Sequence, residues 1–257
     1  MPSIPKTVFI TGANRGIGLG IVEKLLENRE IQTIIAGARD INAAKELQSL
    51  AQSDSRLHLL PVDVSDDKSL EKAVESVDRI VGARGLNLLI NNAGMIEVYQ
   101  TLSSPSRQKV LNCINVNAVS ALLVSQIFLP LLQKAAAALG STQELSPSRA
   151  AILNIGSDCS SQTLNVTGFC NETLLAYKMS KTAMLSFSRT LVADFKTLNI
   201  PVLVVTMHPG WVATDMGGPE APVTVAESAG DIVESIEKLT AEHNGKLIDR
   251  MLVEMPF

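Results

Sequence analysis

Thr7-Val8-Phe9-Ile10-Thr11 runs directly into Gly12-Ala13-Asn14-Arg15-Gly16-Ile17-Gly18, and apolar residues then recur at Ile17, Ile21, Val22, Leu25 and Leu26. The first run, short and rich in β-branched residues, reads as a buried strand, and the later spacing reads as a helix. Glycines between them permit a tight turn and a close approach of backbone to a pyrophosphate held at the helix N-terminus. Gly12, Asn14, Arg15, Gly16, Ile17 and Gly18 are therefore candidate cofactor-binding residues. An ordinary glycine-rich strand-to-helix turn is the plainer alternative.

The alternation continues along the chain. Strands are expected at 33–39, 57–63, 86–90, 151–155, 201–206 and 246–249, with helices at 41–51, from 65 to 81, at 106–134, at 173–198 and at 225–239. Pro61 suits an edge strand. Unbroken apolar strands separated by helices imply a mainly parallel sheet covered on both faces. Right-handed crossovers then favour an α/β fold, a single doubly wound Rossmann domain of about seven strands spanning residues 1–257. Ligands of such folds bind at the carboxyl ends of the strands. The polar motifs at Gly12–Gly18, Arg39, Asp63, Asn91, Ser157 and His208 all fall there.

Composition narrows the partners. The 257 residues are 46% hydrophobic with a net charge of -4, and no basic block marks a nucleic-acid surface. Cys113, Cys159 and Cys170 are widely spaced, which suggests free buried thiols in a reducing compartment and no zinc knuckle or other metal site. The start of the chain lacks the pattern of a secretory leader, and the apolar stretch 118–132 is too short and polar to span a bilayer. The sequons at Asn165 and Asn171 then read as chance. A soluble, cytoplasmic protein without a membrane partner is expected.

The second strand ends at Ala38-Arg39, where an acidic residue would have bound the ribose hydroxyls of NAD. Arg39 can pair with a 2′-phosphate, and Arg15 adds charge nearby. NADP(H) is therefore preferred over NAD(H), with Asp40 expected to point away. Asp63 could accept from an adenine amino group with Val64 beside the ring, or it could cap the next helix. Asn91, Ala93 and Gly94 in Asn91-Asn92-Ala93-Gly94 either touch the cofactor or tie the turn. Tyr177 and Lys181, four apart at the start of a helix, share one face about 6 Å apart along the axis. A nearby ammonium favours the phenolate and makes the tyrosine a better acid/base.

The segments TGANRGIG, NNAG, a serine after the fifth strand, YKMSK and HPGWVATDM occur in the order and spacing of the short-chain dehydrogenase/reductases, and the chain resembles that family over nearly its whole length. Within it, HPGWVATDMGG followed by APVTVAESA looks like the sniffer-type carbonyl reductases and the C-factor-like subgroup. The resemblance implies that Tyr177 is the catalytic acid/base and that Lys181 lowers its pKa and holds the nicotinamide ribose. It implies that Ser157 binds the substrate carbonyl oxygen and that Asn117, rather than Asn115, helps hold a proton-relaying water. Thr214, following Pro209, Gly210 and Val212, matches the stretch that binds the cofactor near its nicotinamide end. Ser157 and Tyr177 stand twenty residues apart, longer than the commonest family spacing, and the extra loop with Phe169 and Cys170 is expected to line the substrate pocket.

The loops 158–173 and 215–223 contain few charges apart from Asp158, Glu172, Asp215 and Glu220, and no basic cluster. A small, uncharged carbonyl substrate follows: an aldehyde, ketone or quinone reduced with NADPH. A low-turnover NADP(H)-binding sensor on the same fold would have shown a broken catalytic set. An NAD-dependent alcohol dehydrogenase would have favoured an acid at Ala38. The resemblance leaves assembly open between a monomer and a homodimer or homotetramer built on the two long helices.

Overall fold

The computed structural model describes residues 3–140, 144–166 and 174–257. Phe169, Cys170, Glu172 and the Asn171 sequon lie outside the described residues.

Seven strands form one parallel sheet in the order β3-β2-β1-β4-β5-β6-β7. They are β1 Thr7–Thr11, β2 Thr33–Ala38, β3 Leu57–Pro61, β4 Leu88–Asn91, β5 Ala151–Ile155, β6 Leu203–His208 and β7 Leu247–Asp249. Pro61 closes the edge strand, where its missing N–H leaves no gap in the ladder. The helices are α1 Gly16–Glu27, α2 Lys45–Ser53, α3 Asp67–Val81, α4 Arg107–Ile114, α5 Ser120–Ala138, α6 Leu175–Thr197 and α7 Val225–Ile236.

The period of two along each strand divides the core. Val8, Ile10, Ile34, Leu88, Ile90, Leu153 and Val205 face α1 and α7. Phe9, Ile35, Leu89, Ile152 and Val204 face α3 and α5. Both faces are covered, so β1, β2, β4 and β5 are buried along their whole length. Phe9 and Phe128 stack across the second layer with ring centroids 4.8 Å apart.

Two expected helices differ from their sequence reading. α2 begins at Lys45 rather than 41, because Asp40 Oδ1 accepts the backbone N–H groups of Asn42 and Ala43 and holds a turn there. The expected helix 106–134 is α4 and α5 joined by one π-helical turn, Asn115–Val119, in which Ser120 N–H reaches back to Asn115 O. The combined Arg107–Ala138 helix is in fact long and apolar enough to cross a membrane. It lies instead against the sheet, burying Val124, Phe128, Leu131 and Leu132 in the core.

Candidate active site

The glycine loop crosses the β4 turn so closely that side chains are excluded. A Cβ on Gly12, whose φ is +66°, would lie 2.8 Å from Ala93 Cα, and one on Gly18 would lie 2.3 Å from Gly12 O. Asn92, which the sequence reading passed over, locks the crossing by donating from Nδ2 to Thr11 O and Gly12 O, both at 2.9 Å. Thr11 Oγ1 accepts from the N–H groups of Asn92 and Ala93. The doubled asparagine was the signal that could have found this tie.

The N-terminus of α1 has no side-chain cap and no acidic residue in its first turn. Its free amides and positive dipole end face the loop. This cradle fits a pyrophosphate, and with it a dinucleotide. Ala13 is buried within the loop, Asn14 and Arg15 are exposed, and Ile17 packs partly on the core. Thr214 sits over the cradle, its Cγ2 3.3 Å from where a Gly16 Cβ would lie. Thr214 Oγ1 accepts from Gly217 N–H, while Val212 is buried and the Pro209 carbonyl accepts from Ser228 Oγ on α7. Gly210 has φ +86° and turns the chain there.

Arg15 pairs with Asp215 across the loop after β6, with both side chains exposed. Arg39 is exposed at the end of β2. Its charge reaches Asp63, whose carboxyl lies below its ordinary range: burial pushes it up, but hydrogen bonds from the Ser65 hydroxyl and N–H, with Arg39, outweigh that. Asp63 does not cap α3; Asp66 does, accepting from Lys68 N–H. Val64 leans on the core beside α3.

The Asn91 side chain is directed away from the sheet end. Its Nδ2 donates to Asn154 Oδ1 at 2.8 Å and to Ser125 Oγ at 3.0 Å, binding β4 to β5 and α5. That side chain ties strand to strand and to α5, while the turn itself is held by Asn92.

Tyr177 lies in the first turn of α6 and Lys181 one turn later. The Lys181 ammonium is buried, donates to Ile155 O at 2.7 Å and lies 5.6 Å from the Tyr177 ring centroid. Burial lowers its pKa to about 8. Burial pushes the Tyr177 phenol well above its usual range, reinforced by Cys159, Asp158 and Cys113 and opposed by a hydrogen bond with Ser157. The expected lowering of Tyr177 by Lys181 is thus reversed: desolvation of the phenolate exceeds any pull from the neighbouring charge.

Ser157 leaves the end of β5 with its hydroxyl donating to Asp158 Oδ1 at 2.9 Å and accepting from Cys159 N–H at 3.1 Å. Asp158 N–H in turn donates to His208 Nδ1 at 3.2 Å. Neither Asp158 nor His208 had been assigned to this network.

Asn117 is fully buried on the π-helical turn, a distortion that often accompanies functional sites. It accepts from Met95 N–H and donates to Met95 O, both at 2.8 Å, and donates to Ser180 Oγ at 2.9 Å. A Cβ on Gly94 would lie 3.3 Å from Asn117 Oδ1 and 4.0 Å from Lys181 Nζ, so these three residues converge. Cys113 and Cys159 are both buried. A separate cavity of about 280 Å³ lined by Leu145, Val192, Phe195 and Val202 sits by the start of β6, away from these groups.

The profile of the short chain dehydrogenase family matches residues 6–222. Among solved structures, the chain is similar to Sniffer of Caenorhabditis elegans, with 44% identity, a TM-score of 0.89 and coverage of 98% of this chain and 99% of that one. The carbonyl reductase Sniffer of D. melanogaster matches at 33% identity and TM-score 0.91, covering 99% and 100% of the two chains. The NADPH-bound carbonyl reductase from chicken fatty liver matches at 34% identity and TM-score 0.92, covering 100% and 96%.

Proposed function

This chain belongs to the short-chain dehydrogenase family, and on that premise we propose that it is an NADPH-dependent carbonyl reductase acting on an aldehyde, ketone or quinone. The observation that carries this reading is the buried Lys181 ammonium 5.6 Å from the Tyr177 ring centroid, at the sheet end where Ser157 follows β5 and where the glycine cradle also lies. The chicken relative, crystallised with NADPH, supports the choice of cofactor. We read residues 1–257 as one cofactor-binding domain working in the cytosol.

Bound NADPH supplies the hydride for the carbonyl carbon. Tyr177, kept protonated by burial, donates the proton from its hydroxyl to the carbonyl oxygen as negative charge develops there. Ser157 turns its hydroxyl from Asp158 to the same oxygen. Lys181, with a pKa of about 8, is charged at neutral pH and stabilises the phenolate left behind. Asn117 ties the Met95 turn to Ser180 of α6, which fixes the position of the neighbouring Lys181. Arg39 receives the 2′-phosphate, and Gly12, Gly16 and Gly18 admit the pyrophosphate to the N-terminus of α1.

Leu111, Val119, Leu175 and Met179 are exposed on the long helices, an apolar face that a homodimer would cover; light scattering after gel filtration measures it. The function itself is tested by a panel of carbonyl compounds followed by NADPH absorbance. The wild type oxidises NADPH with at least one uncharged carbonyl, and Tyr177→Phe binds NADPH while losing turnover by about 10²–10⁴-fold. Near-normal turnover in Tyr177→Phe would refute the assignment.

A further inference from the structure

The segment after β7 folds back along the sheet, with Met255 N–H donating to Leu247 O at 2.8 Å, and its last residue reaches the loop that follows Ser157. Phe257 O accepts from the N–H of Thr163 at 3.0 Å and from the Thr163 hydroxyl. The Phe257 ring lies under the Arg189 guanidinium of α6, 4.7 Å from centroid to carbon. The same stretch of loop is fastened to α6 on either side of Thr163. Gln162 Nε2 donates to Thr182 Oγ1 at 3.0 Å, and Lys178 Nζ donates to Asn165 Oδ1 at 2.6 Å. Thr182 and Lys178 flank Lys181 and Tyr177 in sequence. Between these fastenings the loop exposes Leu164, and beyond them Val166.

We propose that Phe257 is a positioning residue for substrate selection: it straps residues 162–166 onto α6 and so sets the wall a carbonyl substrate meets beside Tyr177. This rests on the reductase reading above. The strap touches neither the glycine cradle nor the groups that move the proton. It therefore acts on substrate affinity and leaves the cofactor and the chemical step alone.

The test compares wild type with Phe257→Ala, Phe257→Tyr and Arg189→Met, using benzaldehyde as substrate and NADPH fluorescence for cofactor affinity. An exposed cation–π contact biases an equilibrium by about two- to fivefold. Phe257→Ala and Arg189→Met each raise KM for benzaldehyde by that factor with kcat and NADPH Kd unchanged, and the double variant goes no further. Phe257→Tyr, which keeps the ring, retains the wild-type KM. Hydrogen exchange of the peptide containing Thr163 speeds up in Phe257→Ala, a readout independent of turnover. Should Phe257→Ala fold poorly, Arg189→Met carries the test alone. Unchanged KM and unchanged exchange beside an active wild type overturn the strap. A wild type that reduces no carbonyl overturns both the reductase reading and the proposal built on it.

Discussion

The Lys181 ammonium lies 5.6 Å from the centroid of the Tyr177 ring, yet its hydrogen bond runs to the Ile155 carbonyl at 2.7 Å. Lys181 is buried and Tyr177 half-buried near the start of α6, and loss of solvent moves them in opposite senses: the phenol's pKa rises and the ammonium's falls. Burial keeps the phenol protonated, and Lys181, lowered only to about 8, still carries its charge at neutral pH. A cation in a water-poor site stabilises a phenolate more than the same cation in water would.

Carbonyl reduction should lose rate as pH rises through about 8. Below that value Lys181 carries its proton, and above it the charge that stabilises the Tyr177 phenolate is gone. The profile of kcat/KM against pH measures this. Lys181→Arg, whose side chain stays protonated, should be slower but lack the alkaline limb. A wild-type profile flat to pH 10 would remove Lys181 from this role.

Arg39 should decide between NADP(H) and NAD(H). It is the exposed cation at the end of β2, while Arg15 is engaged with Asp215. Arg39→Ala should weaken NADPH binding by about 10–100-fold, the value of a charge-assisted hydrogen bond or two, and leave NADH binding within about twofold. Fluorescence titration with both dinucleotides reads the difference. Equal losses for the two would point to a damaged fold rather than a lost phosphate contact.

Asn117→Ala should cost both turnover and stability. It leaves the N–H and carbonyl of Met95 and the hydroxyl of Ser180 without their partner, worth about 1–3 kcal/mol for buried groups. Urea denaturation and kcat on the same preparation measure the two losses. A fully stable variant would mean that the π-helical turn holds the site without this side chain.

Far from the site, Asp54 and Arg56 should make stability depend on acid. Arg56 donates to Asp54 and to the carbonyls of Leu26, Asn28 and Ile31 at the end of α1. The Asp54 pKa is lowered to about 2, chiefly by its hydrogen bond from Arg56. A carboxyl with a depressed folded pKa contributes stability that is present above its ordinary value of 3.8 and is lost as pH falls toward 2. Arg56→Met should lower stability at pH 7 by about 2 kcal/mol and flatten this acid dependence. Urea midpoints between pH 2 and pH 7 check it.

Local pattern carried the architecture. Strand and helix periods, the glycine loop and the Tyr177–Lys181 spacing are properties of neighbours in the chain, and the parallel sheet follows from them because two apolar faces must both be covered. Where a side chain found its partner far along the chain, no local period could reveal it. Asn91 turned inward to Asn154, Asn92 fastened the glycine loop, and Arg15 met Asp215 two hundred residues away. The raised phenol of Tyr177 belongs to the same class, since burial is set by what packs around a group rather than by its own helix. Sequence named the cradle and the acid/base pair; folding assigned their charges, their hydrogen bonds and the strap that borders them.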